Sequence, residues 1–291
     1  MVNRCPKQAF AAIRQQLEQA GVADAAFDSG CLMEFVVGTN WRWTETPLTQ
    51  AQWEQLLQMT QKRAERYPLQ YLMGSWCFLD FSLQVGQGVL IPRADTEILC
   101  ETAAKLLQGC SRPQVLDLCA GSGCVGLGIK RLVPQAQVTC LEKSDAAFAY
   151  LQKNAGTALP SVNGQEQTVT AVQGDVFCYQ NQLQDQSLDL IASNPPYITS
   201  REMETLEPEL AHEPNMALEA PEDGLAFYQH IAPAYFGALK PGGWLAVEIG
   251  CKQAAPVQAI FEQSGYTQIQ VIQDYGANDR VVLGKKPQIT M

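Results

Sequence analysis

Asn194-Pro195-Pro196-Tyr197 is the four-residue segment of this sequence with the most specific chemistry. Two consecutive prolines fix φ and remove two backbone donors, so the turn offers carbonyl oxygens without competing N–H groups. The Asn194 side-chain oxygen and the Pro195 carbonyl can together accept both hydrogens of an –NH₂ group. Tyr197 supplies an aromatic face for a flat group to pack against. Such a site suits a planar nitrogen, in an amide or an aryl amine, whose lone pair is delocalised. Two acceptors draw electron density back to that nitrogen and aim its lone pair at an electrophile held in line, about 3–3.5 Å away. Positive charge developing on the nitrogen then falls on oxygen dipoles already in place. No side-chain general base is demanded, because the proton can leave once the nitrogen has become acidic. By themselves these residues also read as a Pro-Pro turn that ends a strand.

A glycine-rich stretch supplies a place for the electrophile. Asp117-Leu118-Cys119-Ala120-Gly121-Ser122-Gly123-Cys124-Val125-Gly126 leads from an apolar strand into a helix. Glycines let backbone approach a ligand, and the helix start offers unpaired N–H groups. Glu142, nineteen residues after Gly123, ends the next strand and can accept ribose hydroxyls. The stretch also satisfies G-x-G-x-x-G, a weak pattern that leaves a dinucleotide, or a purely structural glycine turn, as competing readings. Asp117 weighs against the dinucleotide: a carboxylate about 6 Å from a pyrophosphate charge costs roughly 3 kcal/mol at an effective dielectric near 20. S-adenosylmethionine carries no phosphate but a sulfonium and an ammonium, and an acidic loop suits it. The expected cofactor contacts are Asp117, Cys119, Ala120, Gly121, Ser122, Gly123, Glu142 and Asn194, with Asp175 and Val176 of Gly174-Asp175-Val176 bordering the adenine; Gly-Asp is also an ordinary turn.

These motifs need a frame, and the pattern supplies one. Strands are expected at Val115–Cys119, Gln137–Leu141, Thr168–Val172, Leu188–Ser193, Trp244–Ile249, Thr267–Ile272 and Arg280–Leu283. Helices are expected at Thr96–Leu107, Val125–Leu132, Asp145–Asn154, Gly224–Leu239 and Gln253–Ser264. Strands separated by helices of this length predict a doubly wound parallel α/β sheet with ligands at the strand carboxyl ends. Residues 1–70 read as helical: Ala9–Ala20 closed by Gly21, a segment from Phe27 to Val37, and a helix capped by Thr49 with Trp53, Leu56, Leu57 and Thr60 on one face, ended near Pro68. Residues 71–90, with alternation from Phe81 through Leu83 and Val85, suggest a β-hairpin linker.

With 291 residues, 46% of them hydrophobic, the chain can form one large core and a small second domain. A net charge of -10 is the wrong sign for a free nucleic-acid binder. Arg42, Lys62, Arg63 and Arg66 hint at a local basic patch, or at solvated helix charge. The N-terminus lacks the apolar run of a secretion signal, and no apolar run is long enough for a membrane span, so no membrane partner is expected. Ten cysteines without a CxxC pair, and two histidines, argue against a metal site. Cys100, Cys140 and Cys251 read as buried thiols in a reducing cytoplasm.

Together these residues resemble the peptide chain release factor glutamine methyltransferases, the PrmC/HemK family, over nearly the whole chain and most strongly from Tyr71 onward. Four blocks carry the resemblance: Leu90-Ile91-Pro92-Arg93-Ala94-Asp95-Thr96-Glu97, the Asp117–Gly126 loop, Asn194–Tyr197, and Glu213-Pro214 through Glu222-Asp223-Gly224-Leu225. Ala94 stands where the family usually has a second proline, Glu142 where it more usually has Asp, and Val176 where a hydrophobic or aromatic residue is common, valine giving less stacking on an adenine. The resemblance implies a class I S-adenosylmethionine-dependent methyltransferase domain at 91–291, with a Rossmann-like seven-stranded sheet whose last strand is antiparallel. It implies a helical, release-factor-binding domain at 1–70 and a hairpin linker at 71–90. It implies that the glutamine of the release factor's Gly-Gly-Gln loop enters the Asn194–Tyr197 pocket, with Asn194, Pro195 and Tyr197 catalytic and Pro196, Arg93 and Glu97 beside the substrate. The Pro92–Glu97 block shapes the wall or entrance of the site, or caps the following helix through Thr96. Other readings are a methyltransferase for adenine N6 or guanine N2, a scaffold that kept the fold, and a dehydrogenase.

Overall fold

The computed structural model describes residues 5–161, 167–220 and 222–288; Pro221 and the first residues of the N-terminal stretch lie outside them. The chain forms two compact units, one comprising the chain through Ser75 together with Glu207–His212, the other running from Trp76 to Leu206 and onward from Glu213.

In the smaller unit, helices α1 (Pro6–Gln19), α2 (Ala25–Val37), α3 (Gln50–Ala64) and α4 (Leu69–Met73) enclose Ala9, Ile13, Leu17, Leu32, Met33, Leu56 and Met59. Thr49 caps α3 through a reciprocal pair with Gln52. The buried face of α3 is Leu56, Met59, Thr60 and Arg63, so Leu57, expected inside, is exposed. The shift follows from Arg63, which is no solvated helix charge. It is 7% exposed and lies between Asp28 (2.6 Å) and Glu209 (2.8 Å), and Arg66 also pairs with Glu209. Arg42 lies over the Trp41 ring and is exposed, as is Lys62, while Arg66 is half-buried.

The larger unit opens with the hairpin β1 (Ser75–Phe78) and β2 (Phe81–Gln84). Phe78, Phe81 and Leu83 sink into the main core, so the hairpin packs as part of this unit. The seven-stranded sheet follows: β3 (Gln114–Leu118), β4 (Gln137–Glu142), β5 (Thr170–Gln173), β6 (Leu188–Ser193), β7 (Leu239–Glu248), β8 (Thr267–Gln273) and β9 (Asp279–Lys285), in the order β5-β4-β3-β6-β7-β9-β8. The first five are parallel, and β9 runs antiparallel to both its neighbours, as expected of the last strand. Alternate residues feed two cores. Val115, Cys140, Leu190 and Ala246 face one side, under α5 (Glu97–Leu106), α6 (Cys124–Leu132) and α7 (Asp145–Thr157). Leu116, Leu141, Ile191 and Leu245 face the other, under α10 (Ala226–Ala234) and α11 (Ala254–Gln263). Between β6 and α10 lie the short helices α8 (Ser200–Met203) and α9 (Asn215–Leu218).

Three expectations need correction. The helix expected over Gly224–Leu239 is shorter at both ends: Gly224 has φ +77°, a left-handed backbone no helix holds, and the helix stops at Ala234, with Pro233 in its last turn, before β7 begins at Leu239. The first strand stops at Leu118, because Cys119 turns left-handed at φ +58°. Cys251 is exposed, whereas Cys100 and Cys140 are buried. Among the described residues no cluster suits a metal ion, and no helix is long and apolar enough to cross a membrane.

Helix α6 lies so close to the sheet that a Cβ at Gly126 would collide with Cys140 Sγ. Gly126→Ala is expected to destabilise the protein by about 1–3 kcal/mol, as an overpacked core does. An unshifted melting temperature would contradict that packing.

Candidate active site

The strand order reverses between β3 and β6, where crossovers lead to opposite faces and a crevice opens at the strand carboxyl ends. A cleft of about 380 Å³ lies there. Its floor is the glycine-rich loop: Cys119, Ala120, Gly121 and Ser122 line it, with Cys124 and Val125 of α6. The loop is held by Ala120 N–H to the Leu141 carbonyl (2.9 Å) and by Asn154 Nδ2 to the Ser122 carbonyl (2.9 Å). The Ser122 hydroxyl is buried on the wall near the Cys124 thiol, with no partner in full hydrogen-bond geometry.

Glu142 stands at the end of β4, accepting Gly121 N–H on Oε2 (2.8 Å) and Ser144 N–H on Oε1 (2.7 Å). Those bonds aim the carboxylate and leave each oxygen a second lone pair for a vicinal diol. Past β5, Asp175 and Val176 line the cleft. Burial raises the Asp175 pKa, but Lys143 (2.9 Å) and the Phe177 N–H more than offset it, and the group stays ionised. Phe177, which the sequence reading passed over, lines the same wall, its ring packed on Phe227 and His230. It supplies the aromatic surface that Val176 lacks. The only signal for it was a large apolar residue after Gly-Asp.

Asp117 and Gly123 do not line the cleft. Gly123 acts through its backbone, turning left-handed (φ +86°) into α6. Asp117 is fully buried under the loop, and its Oδ2 accepts Gly126 N–H (2.8 Å). Burial pushes its pKa up to about 8, so at neutral pH it carries little charge to repel a phosphate. What the described wall lacks for a pyrophosphate is a free cation, since its two are Lys143 and Arg93. These lining cations are each already paired, with Asp175 and Glu213.

At the other end of the cleft β6 delivers Asn194 and Pro196, with Ser193 Oγ tied to the Leu118 carbonyl (2.8 Å). Asn194 Nδ2 donates to Thr96 Oγ1 (3.1 Å), which leaves the side-chain oxygen for the cleft. Thr96 makes no capping bond to α5, so its hydroxyl serves Asn194 and not the helix end. The block before it forms wall: Ile91, Pro92 and Arg93 line the cleft, and Glu213 fastens them by accepting Ile91 N–H (2.9 Å) and Arg93 Nη2. Glu97 points away, accepting Leu79 N–H in the hairpin turn (2.7 Å).

Pro195 and Tyr197 are not on the cleft wall. Tyr197 anchors the turn from behind: its hydroxyl donates to Glu248 Oε1 (3.3 Å), and its carbonyl accepts Gln253 Nε2 (3.1 Å). Gln253 also reaches the Gly224 carbonyl (3.3 Å), and a Cβ at Gly224 would stand 2.5 Å from the Tyr197 oxygen. The glycine of the Glu222–Leu225 block is thus what allows that segment to lie against the turn.

A family model described as PrmC N-terminal domain matches residues 8–74, and one described as Methyltransferase small domain matches residues 94–220. A release factor glutamine methyltransferase of Geobacter sulfurreducens is 36% identical over 277 residues, covering 94% of this chain and 93% of that protein. One from Caulobacter vibrioides is 34% identical, covering 96% of each. Among solved structures, the catalytic domain of hMettl16 in complex with MAT2A 3'UTR hairpin 6 aligns with a TM-score of 0.54 over 82% of each chain at 15% identity, a likeness of fold.

Two outcomes follow from the buried groups. Gly224→Ala is expected to displace the Tyr197 carbonyl and cut turnover by about tenfold or more, the effect of a small misplacement at a reacting centre; cofactor affinity, measured by calorimetry, is expected to hold. Asp117 keeps a proton in the fold that the unfolded chain releases near pH 3.8, so its share of stability is lost as pH rises from there to about 8. Asp117→Asn is expected to flatten that slope in denaturant titrations; parallel slopes would refute the buried neutral acid.

Proposed function

The chain belongs to the release factor glutamine methyltransferases, and from that premise we propose that it transfers a methyl group from S-adenosylmethionine to the side-chain amide nitrogen of the glutamine in the Gly-Gly-Gln loop of a peptide chain release factor. The observation that carries the reading is the Asn194 amide, pinned through its nitrogen to Thr96 so that its oxygen is left to accept from a substrate –NH₂.

The cleft suits the cofactor. Glu142 is aimed for the ribose, Asp175, Val176 and Phe177 for the adenine, and the Ser122 hydroxyl and loop backbone for the amino-acid end. When bound, S-adenosylmethionine supplies an electrophilic methyl carbon on a positively charged sulfur. The protein's own part lies in holding the acceptor. Asn194 Oδ1, on the cleft wall, takes a hydrogen of the amide, raising electron density on nitrogen and fixing its lone pair in line. As the nitrogen becomes positive, the Asn194 oxygen stabilises it, and the proton leaves afterwards to solvent. Pro196, Pro92 and Arg93 form the wall along which the glutamine enters. In this reading the smaller helical unit, which matches the PrmC N-terminal domain, contributes to gripping the release factor.

Mass spectrometry of a release factor incubated with enzyme and cofactor is expected to find one added methyl on that glutamine. Asn194→Ala is expected to lower kcat by about a hundredfold, the scale of losing a preorganised polar group at a reaction centre, with S-adenosylmethionine affinity retained. Label from radioactive cofactor in tRNA, rRNA or DNA and none in release factor would establish the nucleic-acid alternative instead.

A further inference from the structure

Glu248 ends β7 in the apolar run Trp244-Leu245-Ala246-Val247-Glu248 and is 2% exposed. The mechanism above leaves it without a role, yet it stands behind both residues of the acceptor turn. Its Oε1 accepts the Tyr197 hydroxyl (3.3 Å), and its backbone carbonyl accepts the Tyr228 hydroxyl (2.9 Å). Its Oε2 is buried with no partner in full hydrogen-bond geometry, and the Thr96 hydroxyl is near enough to the carboxyl to favour its ionised form. Thr96 in turn accepts Asn194 Nδ2 (3.1 Å). The chain of contacts therefore runs from a buried carboxyl through one hydroxyl to the side chain that meets the substrate.

Direction is what such a chain transmits. A hydroxyl both donates and accepts, so Thr96 alone does not decide whether Asn194 turns its nitrogen or its oxygen toward the cleft. An ionised carboxylate only accepts. It therefore draws the Thr96 proton toward itself and leaves the Thr96 lone pairs for Asn194 Nδ2, which forces Oδ1 outward. With Glu248 protonated or replaced by an amide, Thr96 is free to reverse, and Asn194 then offers –NH₂ to a substrate –NH₂, a repulsive pairing.

We infer that Glu248 is a positioning residue for methyl transfer, setting through Thr96 which end of the Asn194 side chain faces the acceptor nitrogen and holding Tyr197 in the same turn. The inference rests on reading this cleft as the amide-methylating site. Around Glu248 stand Asp95 and Thr96 before α5, Cys100 on α5, Cys124 on α6, Tyr197 after β6, Tyr228 on α10 and Arg280 on β9. Arg280 bonds Asp274 (2.9 Å) and Asp95 (3.1 Å), so its charge is shared. Burial raises the Glu248 pKa, against Thr96, Arg280 and Tyr197, to about 7. The ionised, orienting form is thus lost as pH falls below neutrality.

The test compares full-length wild type with Glu248→Gln, which keeps shape and removes the obligate acceptor, in methyl transfer from labelled S-adenosylmethionine to purified release factor. The variant is expected to lose about tenfold or more in kcat with KM for both substrates within about twofold, the pattern of an interaction realised in the transition state. Wild-type kcat is expected to fall below about pH 7, and that limb to vanish in Glu248→Gln. Thr96→Ser, which keeps the hydroxyl, is expected to stay near wild type, and Thr96→Val to resemble Glu248→Gln; thermal melts establish that each variant is folded. A folded Glu248→Gln with wild-type kcat, an unchanged acid limb, or a Thr96→Ser as impaired as Thr96→Val would overturn the role of Glu248 while leaving the substrate assignment intact. Wild type that labels nucleic acid and not release factor would overturn the substrate assignment; the same kcat comparison on that amine then decides Glu248.

Discussion

A carboxamide has one end that donates and one that accepts, and the two are nearly equal in size. A site that must grip the hydrogens of a substrate amide with a side-chain amide of its own therefore depends on keeping that side chain from turning over. Here the bond from Asn194 Nδ2 to Thr96 Oγ1 supplies the restraint. The surrounding architecture bears on that bond: β6 brings Asn194 to the end of the sheet beside β3, the Ile91–Arg93 wall brings Thr96 across to it, and Glu213 fastens that wall. Methyl transfer to a weakly nucleophilic nitrogen needs geometry more than acid–base chemistry, so a rigid frame is the larger part of the catalyst.

The frame was legible in the sequence to the extent that periodicity and turn chemistry encode it. All seven strands of the main sheet overlap the expected segments: the central ones are covered on both faces and read as apolar runs, whereas the edge strand β8 shows as alternation in Thr267–Gln273. Boundaries drifted where a single residue's backbone decided them, as at Cys119 and Gly224. The N-terminal capping pair of Thr49 and Gln52 was visible as spacing, but the inward face of α3 was not. Arg63 reads as surface charge until Asp28 and Glu209, 35 and 146 residues away in sequence, are placed beside it.

The candidate site divides in the same way. Groups that meet a ligand through local backbone, such as the loop from Cys119 to Ser122, could be read directly. Groups that act by holding other groups could not, since their meaning lies in contacts across the sheet. Thr96 looked like a helix cap, Tyr197 like a stacking surface and Asp117 like a charge on the loop. Each is instead bonded to a partner distant in sequence or hidden beneath the wall. Glu248 and Gln253 escaped notice, although an acid closing an apolar strand is a legible anomaly: burying it has a cost that a purely structural strand would avoid.

The thiols on the cleft wall carry a practical consequence. Cys119 and Cys124 border the cleft, and burial pushes Cys119 far up and Cys124 up to about 12, so neither is an appreciable thiolate at neutral pH. Alkylating reagents attack thiolates, and exposed cysteines elsewhere, at Cys77, Cys178 and Cys251, meet them first. Surface labelling for spectroscopic probes can thus proceed on the native chain while the cleft wall stays chemically silent, and a covalent inhibitor aimed at that wall would need an electrophile that does not depend on an ionised sulfur.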